Sequence, residues 1–356
     1  MKHGCFAPLL ILLASATARG DDKAKPTYHE RLEFDAAKGQ WIEIAPPIPG
    51  TEDGDLALAR SLLAQCEYKD ARKAFEHWFE TYPESTLRPE ALFYAAETEV
   101  SAEDAKPKSG DLMQAHRWLE EILDGWPGTN IADRALRKEL IIAEMVLFKG
   151  RKQKVWKVLW LSADEETLTI LDRIIDERAR ETPIAEQALR LKADYYYING
   201  NFEEAETAYA RLMRDFPRGR YHKFAMLRAG ESALARFPGV EFDDADLLEA
   251  EVYLKDFSQK YPQDAGAQQV PQTLARVSDQ RAEKEYRVAQ YYERTKQIDA
   301  AAYYYRLVEK DWSATTWAFE ARNRLIAMGA MEPPPEPMEP APEEATTTPP
   351  TQPPGE

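Results

Sequence analysis

One three-residue pattern recurs along most of this chain: an alanine, a bulky apolar residue four positions later, and a proline twelve positions later. It is clearest at Ala205, Tyr209 and Pro217. Copies begin at Ala71, Ala115, Ala250 and Ala301, the last with a serine in place of the proline. A small residue at helical spacing from a bulky one lets two helices approach closely, and a proline just beyond a helix ends it. The pattern therefore predicts the second helix of a repeated helical pair.

The first helix of the pair is visible upstream of the best copy. Ala193 and Tyr196 are three residues apart, at helical spacing, and lie twelve and nine residues before Ala205. Asn199-Gly200-Asn201, between Tyr196 and Ala205, is a turn signal. A small residue, an aromatic, a turn, and then alanine, aromatic and proline in this order resemble the tetratricopeptide repeat.

The alanines lie farther apart than the about 34 residues of a standard repeat, which predicts insertions. The widest gap, from Ala115 to Ala205, should hide a degenerate copy that carries Leu168, Leu171, Ile175 and Pro183. We therefore expect an all-α fold, a tetratricopeptide-like right-handed superhelix of about six helical pairs over residues 55–328.

Composition limits the partners. The chain has 356 residues and a net charge of −16, which argues against nucleic acid as a ligand. Residues 329–356 are rich in proline and glutamate and hold no lysine or arginine. Such a segment cannot bury a core, so the sequence predicts a disordered tail.

The N-terminus has the pattern of an export signal. Lys2 and His3 precede an apolar stretch, and Ala16 and Ala18 offer a cleavage site for signal peptidase. Residues 1–18 are therefore predicted to be a signal peptide, and the mature chain should begin near Arg19 without a lipid. The mature protein is therefore expected to be exported.

Residues 19–54 form a lead-in segment that carries Trp41. Two interpretations remain open for it: a short β-hairpin around Lys38-Gly39, or an extended segment that docks Trp41 on the first repeat.

The sequence shows no pattern of catalytic chemistry. Its histidines are scattered, and it lacks the zinc, phosphate-loop and nucleophile-elbow motifs. The acidic run Asp243–Asp246 resembles half of a calcium loop but lacks the glycine and the closing glutamate, so we expect it to cap a helix. The segments outside the repeats are too short for a catalytic domain. No enzymatic activity, cofactor or metal is expected.

A basic cluster with two tryptophans is one candidate binding surface. It comprises Lys149, Arg151, Lys152, Lys154, Trp156, Lys157 and Trp160. The cluster could contact an anionic lipid headgroup or an acidic partner, which would give a peripheral membrane association. The alternative is a solvated helix face over buried tryptophans.

Two tyrosine triplets are the other candidate. They are Tyr195, Tyr196 and Tyr197, and Tyr303, Tyr304 and Tyr305. Three consecutive helical residues cannot all face one core. The rings that point elsewhere would either anchor a bound peptide or pack between neighbouring repeats.

The C-terminal part of the chain resembles a known family. The segment 282–292 (AEKEYRVAQYY), the residues 307–315 and the loop 237–244 (FPGVEFDD) are similar to the BamD family of outer-membrane protein assembly factors. The resemblance runs from about Asp55 to Met328. It implies a periplasmic scaffold of the barrel-assembly machine. Its C-terminal repeats would dock the barrel-assembly subunit, and its N-terminal repeats would meet unfolded barrel substrates.

The chain departs from that family at its N-terminus. Family members are typically anchored by a lipidated cysteine at the end of the apolar stretch, whereas Cys5 precedes that stretch here. We therefore expect the protein to reach the membrane through its partners, or through Trp41 and the basic cluster. The alternative function is that of another periplasmic adaptor, in envelope biogenesis, cell division or polysaccharide export.

Overall fold

The computed structural model describes residues 31–35, 40–44, 48–150, 153–155, 159–161 and 163–332, with side chains over 48–150 and 163–332. The predicted signal peptide and residues 333–356 of the predicted tail lie outside these ranges. No helix in the described ranges is long and apolar enough to cross a membrane.

The predicted all-α fold of about six helical pairs is confirmed. Successive pairs are α1–α2, α3–α4, α5–α6, α7–α8, α9–α10 and α12–α13, with α11 before the last pair and α14 after it. The helices are α1 Glu52–Ala64, α2 Tyr68–Thr81, α3 Arg88–Ala105, α4 Leu112–Gly125, α5 Asn130–Leu147, α6 Asp164–Arg173, α7 Pro183–Ile198, α8 Phe202–Asp215, α9 His222–Arg236, α10 Ala245–Lys260, α11 Pro262–Ala267, α12 Val270–Arg294, α13 Ile298–Asp311 and α14 Thr316–Ala327.

The chain divides into two compact units. The first unit comprises residues 1–237 and 252–260, and the second comprises residues 238–251 and 261–356. Each unit has a core of its own. The larger cluster of the first unit runs from Leu92 to Ala229, and that of the second runs from Ala282 to Leu325. The predicted domain boundaries, including a single repeat domain over 55–328, stay predictions.

The repeat alanines are completely buried. Ala71, Ala115, Ala205, Ala250 and Ala301 each have 0% of their surface exposed. The bulky residues four positions later are at most 1% exposed: Phe75, Leu119, Tyr209, Leu254 and Tyr305. The residue three positions before the alanine is apolar in each copy but less regularly buried, because Leu247 is 0% exposed whereas Ile298 is 47% exposed. The alanine and the bulky residue four positions later therefore define the buried face of the second helix.

Three of the pairs share one turn between their helices. Cys66, Gly200 and Lys296 have φ angles of 62°, 79° and 63°, in the left-handed region. In each turn the next residue donates its backbone N–H to a carbonyl five positions earlier, as Asn201 does to Tyr196 at 2.9 Å. This is the Schellman ending of a helix. Only Gly200 is recognisable from the sequence as such a helix end, because the other two turns have Cys66 and Lys296 in the left-handed conformation that usually favours glycine.

Two pairs are locked by a buried tyrosine. The Tyr209 hydroxyl on α8 donates to Asp194 on α7 at 2.7 Å, and the Tyr305 hydroxyl on α13 donates to Glu293 on α12 at 2.8 Å. Burial, together with the neighbouring carboxylate, raises the pKa of both tyrosines, so their hydroxyls stay protonated as donors.

The described residues include two short hairpins, one before α1 and one between α5 and α6. Strand β1 (Arg31–Asp35) pairs antiparallel with β2 (Gln40–Ile44), with Phe34 opposite Trp41. The hairpin interpretation of the lead-in segment is therefore the one that the backbone adopts, whereas the Trp41 side chain lies outside the described part. Strands β3 (Gln153–Val155) and β4 (Leu159–Leu161) form the second hairpin.

The degenerate copy predicted in the widest gap is present as α6. This helix continues into a π-helical turn, Ile174–Arg178, before α7 begins at Pro183. Leu171 is 0% and Ile175 is 3% exposed, so both predicted apolar positions face the core.

Two buried carboxylates hold the loop between α3 and α4. Glu103 accepts the backbone N–H groups of Lys108, Ser109 and Gly110 at 3.0 to 3.1 Å. Glu99 accepts the N–H of Asp111 at 2.8 Å. The loop comes so close to α3 that a Cβ atom at Gly110 would lie 2.0 Å from the carbonyl oxygen of Glu99.

We expect Ala205→Phe to lower the free energy of unfolding by about 1–3 kcal/mol, because the added ring has no space at a fully buried position. The exposed Glu203 on the same helix provides the control, and Glu203→Ala should change the value by less than about 0.5 kcal/mol. Urea unfolding measures both. Equal midpoints would show that Ala205 tolerates a bulky side chain.

A second test concerns the α3–α4 loop. Gly110→Ala should destabilise the protein by about 1–3 kcal/mol, because the loop must move away from Glu99. Nothing lies within 4 Å of a Cβ atom at Gly125, so Gly125→Ala should be neutral or stabilising by up to about 1 kcal/mol. A tolerated alanine at Gly110, measured by thermal unfolding, would contradict the close approach.

Candidate protein-binding surfaces

A cavity of about 420 Å³ lies between α7 and α8. Its lining residues are Leu189, Lys192, Tyr196, Glu203, Glu204, Thr207, Ala208 and Arg211. They recur three or four positions apart on each helix, so each helix presents one face to the cavity. The predicted binding residue Tyr196 therefore lies in a groove between two helices.

The charges around this cavity are mixed. Lys192 donates to Asp172 at 2.5 Å, and Arg211 binds both Asp176 and Asp215. The hydrogen bond from Arg211 lowers the pKa of Asp176. The two basic side chains are thus held in place from α6 and its π-helical turn, while Glu203 and Glu204 on the other wall are exposed. Such a groove offers a ring and charges of both signs to a peptide.

The neighbours of Tyr196 contact other helices. Tyr195 donates its hydroxyl to Asp164, the first residue of α6, at 3.0 Å. The Tyr197 ring meets Phe202 edge-on at 5.7 Å, and the guanidinium group of Arg228 from α9 lies 4.7 Å from its centre. Tyr195 and Tyr197 therefore pack between helices, whereas Tyr196 faces the cavity. That Tyr196 anchors a bound peptide stays a prediction.

The second triplet also splits. Tyr305 is buried in the core of the second unit, and Tyr303 is 62% exposed. Tyr304 stacks on Tyr292 of α12, with ring centres 5.3 Å apart and planes inclined by 9°. Tyr303 and the 54% exposed Tyr291 lie edge-on against these two rings.

We name Tyr291, Tyr292, Tyr303 and Tyr304 the tyrosine surface. The sequence pattern singled out the triplet at 303–305 but missed Tyr291 and Tyr292. These two belong to the surface because α12 and α13 pack side by side. The surface offers ring faces and hydroxyl groups, and tyrosine is enriched among the anchor residues of protein interfaces.

At its described strand residues, the basic cluster does not form a helix face. Lys154 and Trp160 are opposite one another in β3 and β4, so the helical interpretation was wrong at these residues. Lys152 and Trp156 lie outside the described residues. Lys149 is placed 3.5 Å from Asp104, so one member of the cluster is paired within the protein. A role in binding lipid or an acidic partner stays a prediction.

The acidic run at the start of α10 performs local roles. Asp243 accepts the backbone N–H of Ala245 at 2.7 Å. Asp244 binds Lys284 at 3.1 Å and Arg281 at 3.3 Å. The Asp243 contact fits the expected capping role, whereas Asp244 forms ion pairs with α12.

A histidine-carboxylate cluster was missed by sequence reasoning. His116 on α4 lies 2.9 Å from Glu139 on α5, which is completely buried. Glu120, one turn after His116, brings a second carboxylate to within 4.8 Å. Burial opposes the charge of His116, but the hydrogen bond and the charge of Glu139 raise its pKa overall. Burial also raises the pKa of Glu139. No sequence motif could reveal this cluster, because its residues come from two helices.

Residues 168–331 match the family model of YfiO, described as an outer membrane lipoprotein. The match begins in α6 and ends after α14, so it covers less than half of the chain. The resemblance expected from Asp55 onward is thus supported from residue 168 only. The comparison with curated proteins finds no match.

Several solved structures are similar in part. A tetratricopeptide-repeat protein from Thermus thermophilus shares 16% identity over 64% of this chain and 98% of its own, with a TM-score of 0.28. PilW, a type IV pilus biogenesis factor, shares 13% over 77% of this chain and 100% of its own, also at 0.28. Human IFIT1 shares 15% over 78% of this chain and 63% of its own, at 0.27. TM-scores of this size do not establish a common overall arrangement.

The two kinds of tyrosine can be told apart by removing one hydroxyl at a time. Tyr195→Phe deletes the hydrogen bond to Asp164 and should cost about 0.5–1.5 kcal/mol of unfolding free energy. Tyr303→Phe changes an exposed side chain and should stay within about 0.5 kcal/mol. Urea unfolding of both variants is the measurement, and an equal cost would contradict the division between packing and surface roles.

Proposed function

We propose that this chain is a non-enzymatic scaffold of the outer-membrane β-barrel assembly machinery. It is exported to the periplasm and lies at the outer membrane as a peripheral protein. The observation that carries the proposal is the match of residues 168–331 to the YfiO outer membrane lipoprotein family. The α7–α8 cavity and the tyrosine surface both fall within these residues.

The second unit is the proposed docking region for the barrel-assembly subunit. Tyr291 and Tyr303 expose 54% and 62% of their surface, although burial of a tyrosine ring is energetically favourable. Exposed tyrosines that cluster on one surface are typical of the anchor residues of protein interfaces. The periplasmic domains of the subunit would cover these rings.

The α7–α8 cavity is the proposed contact with unfolded barrel substrates. An extended peptide could lay an apolar side chain on Tyr196. Its own charged groups could meet Lys192 or the exposed Glu203 and Glu204. Mixed charge and one ring select weakly among sequences, as binding of many different barrel proteins would require.

The docking region can be tested with two substitutions that leave the core untouched. We expect Tyr291→Ser combined with Tyr303→Ser to weaken co-purification of the barrel-assembly subunit from envelope extract by about tenfold or more. Point substitutions are preferable to removal of the C-terminal part of the chain. A truncation before Glu285, for example, would cut α12 and destroy that helix.

Ile198→Ser is the matched control, since Ile198 is an apolar side chain of the first unit that is 69% exposed. It should retain the subunit at the level of the unchanged protein, and circular dichroism should show equal helix content in all three. In cells, depletion of the protein should lower many outer-membrane barrel proteins at once. Unchanged barrel levels, with no barrel-assembly subunit in the pull-down, would reject this function and favour another periplasmic adaptor.

A further inference from the structure

The histidine-carboxylate cluster combines three potential metal ligands from two helices of the first unit. His116 and Glu120 are four residues apart on α4 and so share one face of that helix. Glu139 faces them from α5, and one ligand atom of each residue lies within 4.8 Å of the other two. The side chains of His116 and Glu120 are 13% and 16% exposed, so all three are largely shielded from water.

Glu139 is only half satisfied. Its Oε1 atom lies 2.9 Å from Nδ1 of His116, whereas its Oε2 atom is buried without a hydrogen-bond partner among the described residues. A buried carboxylate oxygen without a partner is costly, because it has lost its hydration and gained nothing in return. We therefore expect Oε2 of Glu139 to have a further interaction partner, either a bound water molecule or a cation.

We propose that His116, Glu120 and Glu139 bind a divalent transition-metal ion of the Zn²⁺ type. One imidazole nitrogen and two carboxylate oxygens are ligands that Zn²⁺ accepts, and three protein ligands leave a fourth position for water. At bond lengths of about 2.1 Å, tetrahedral ligand atoms lie about 3.4 Å apart, so the farthest pair must close by up to about 1.4 Å. The ion takes the place of the proton between His116 and Glu139, and that proton is released to solvent.

Solvent can reach the site. An open cleft is lined by His116, Glu120 and Arg173, among others. A hydrated ion can enter there, and the three ligands can replace its water molecules one by one. The position nearest the cleft suits the remaining water.

Two arginines oppose the binding of a cation at this site. Arg173 and Arg178 both bind Glu120, and both contact the same oxygen, Oε2. Their positive charges weaken the binding of a cation, so removing one should strengthen it. A purely structural ion-pair network gives no reason for tighter metal binding.

The test uses the full chain, produced without a polyhistidine tag, in equilibrium dialysis against Zn²⁺ with the bound metal measured by elemental analysis. We expect one Zn²⁺ per chain, and a loss of affinity of at least about tenfold in His116→Ala. The control is His77→Ala, because His77 is exposed on α2, and it should bind like the unchanged protein. Circular dichroism checks that each variant is folded.

Two more variants keep the result decisive if His116→Ala does not fold. Glu120→Gln should also weaken Zn²⁺ binding about tenfold, whereas Arg173→Gln should strengthen it about threefold. Co²⁺ in place of Zn²⁺ should give a visible absorption band that His116→Ala abolishes. Absence of Zn²⁺ uptake, or equal uptake by the unchanged protein and the His116 and Glu120 variants, would overturn the proposal and leave a water molecule as the partner of Glu139.

Discussion

In five of the six helical pairs the second helix carries one completely buried alanine, and α5–α6 has Leu171 at that position. Ala205, one turn before Tyr209 on α8, is completely buried, and the Tyr209 hydroxyl donates a hydrogen bond to Asp194 on α7. The same relation joins Ala301 to the bond between Tyr305 and Glu293. The alanine sets the distance and the polar bond then fixes the register, so a larger side chain would cost both packing and a hydrogen bond.

Buried glutamates stabilise irregular segments that connect successive helices. Glu103 binds three consecutive N–H groups of the α3–α4 loop, and Glu186 accepts the N–H of Tyr221 at 2.7 Å, just before α9. A loop that leaves a helix loses backbone partners, and a carboxylate from a neighbouring helix replaces them. Glu139 breaks this rule, because it bonds to a histidine and leaves one oxygen without a partner among the described residues. This departure is what distinguishes it from the loop-holding glutamates.

The repeat could be predicted because its signal is local. Ala205, Tyr209 and Pro217 lie within one helix and its end, and their spacing follows from the geometry of a single helix. The three-residue strands β3 and β4 were missed because such short strands are specified by pairing rather than by composition. Which tyrosines of each triplet are packed and which are exposed could not be predicted either, because this depends on which neighbouring helix offers a partner. His116 and Glu139 belong to separate helices, and no period connects them.

The tyrosine surface shows how the same packing that buries some rings prepares others for a partner. Tyr292 and Tyr304 hold each other by stacking, and Tyr291 and Tyr303 rest edge-on against them. Burial raises the pKa of Tyr304, so its hydroxyl stays protonated as a donor. Rings that are already fixed lose little conformational entropy when a partner covers them. More of the favourable free energy of burial then contributes to the binding affinity. A rigid helical pair is therefore better suited than a mobile loop to display these tyrosines.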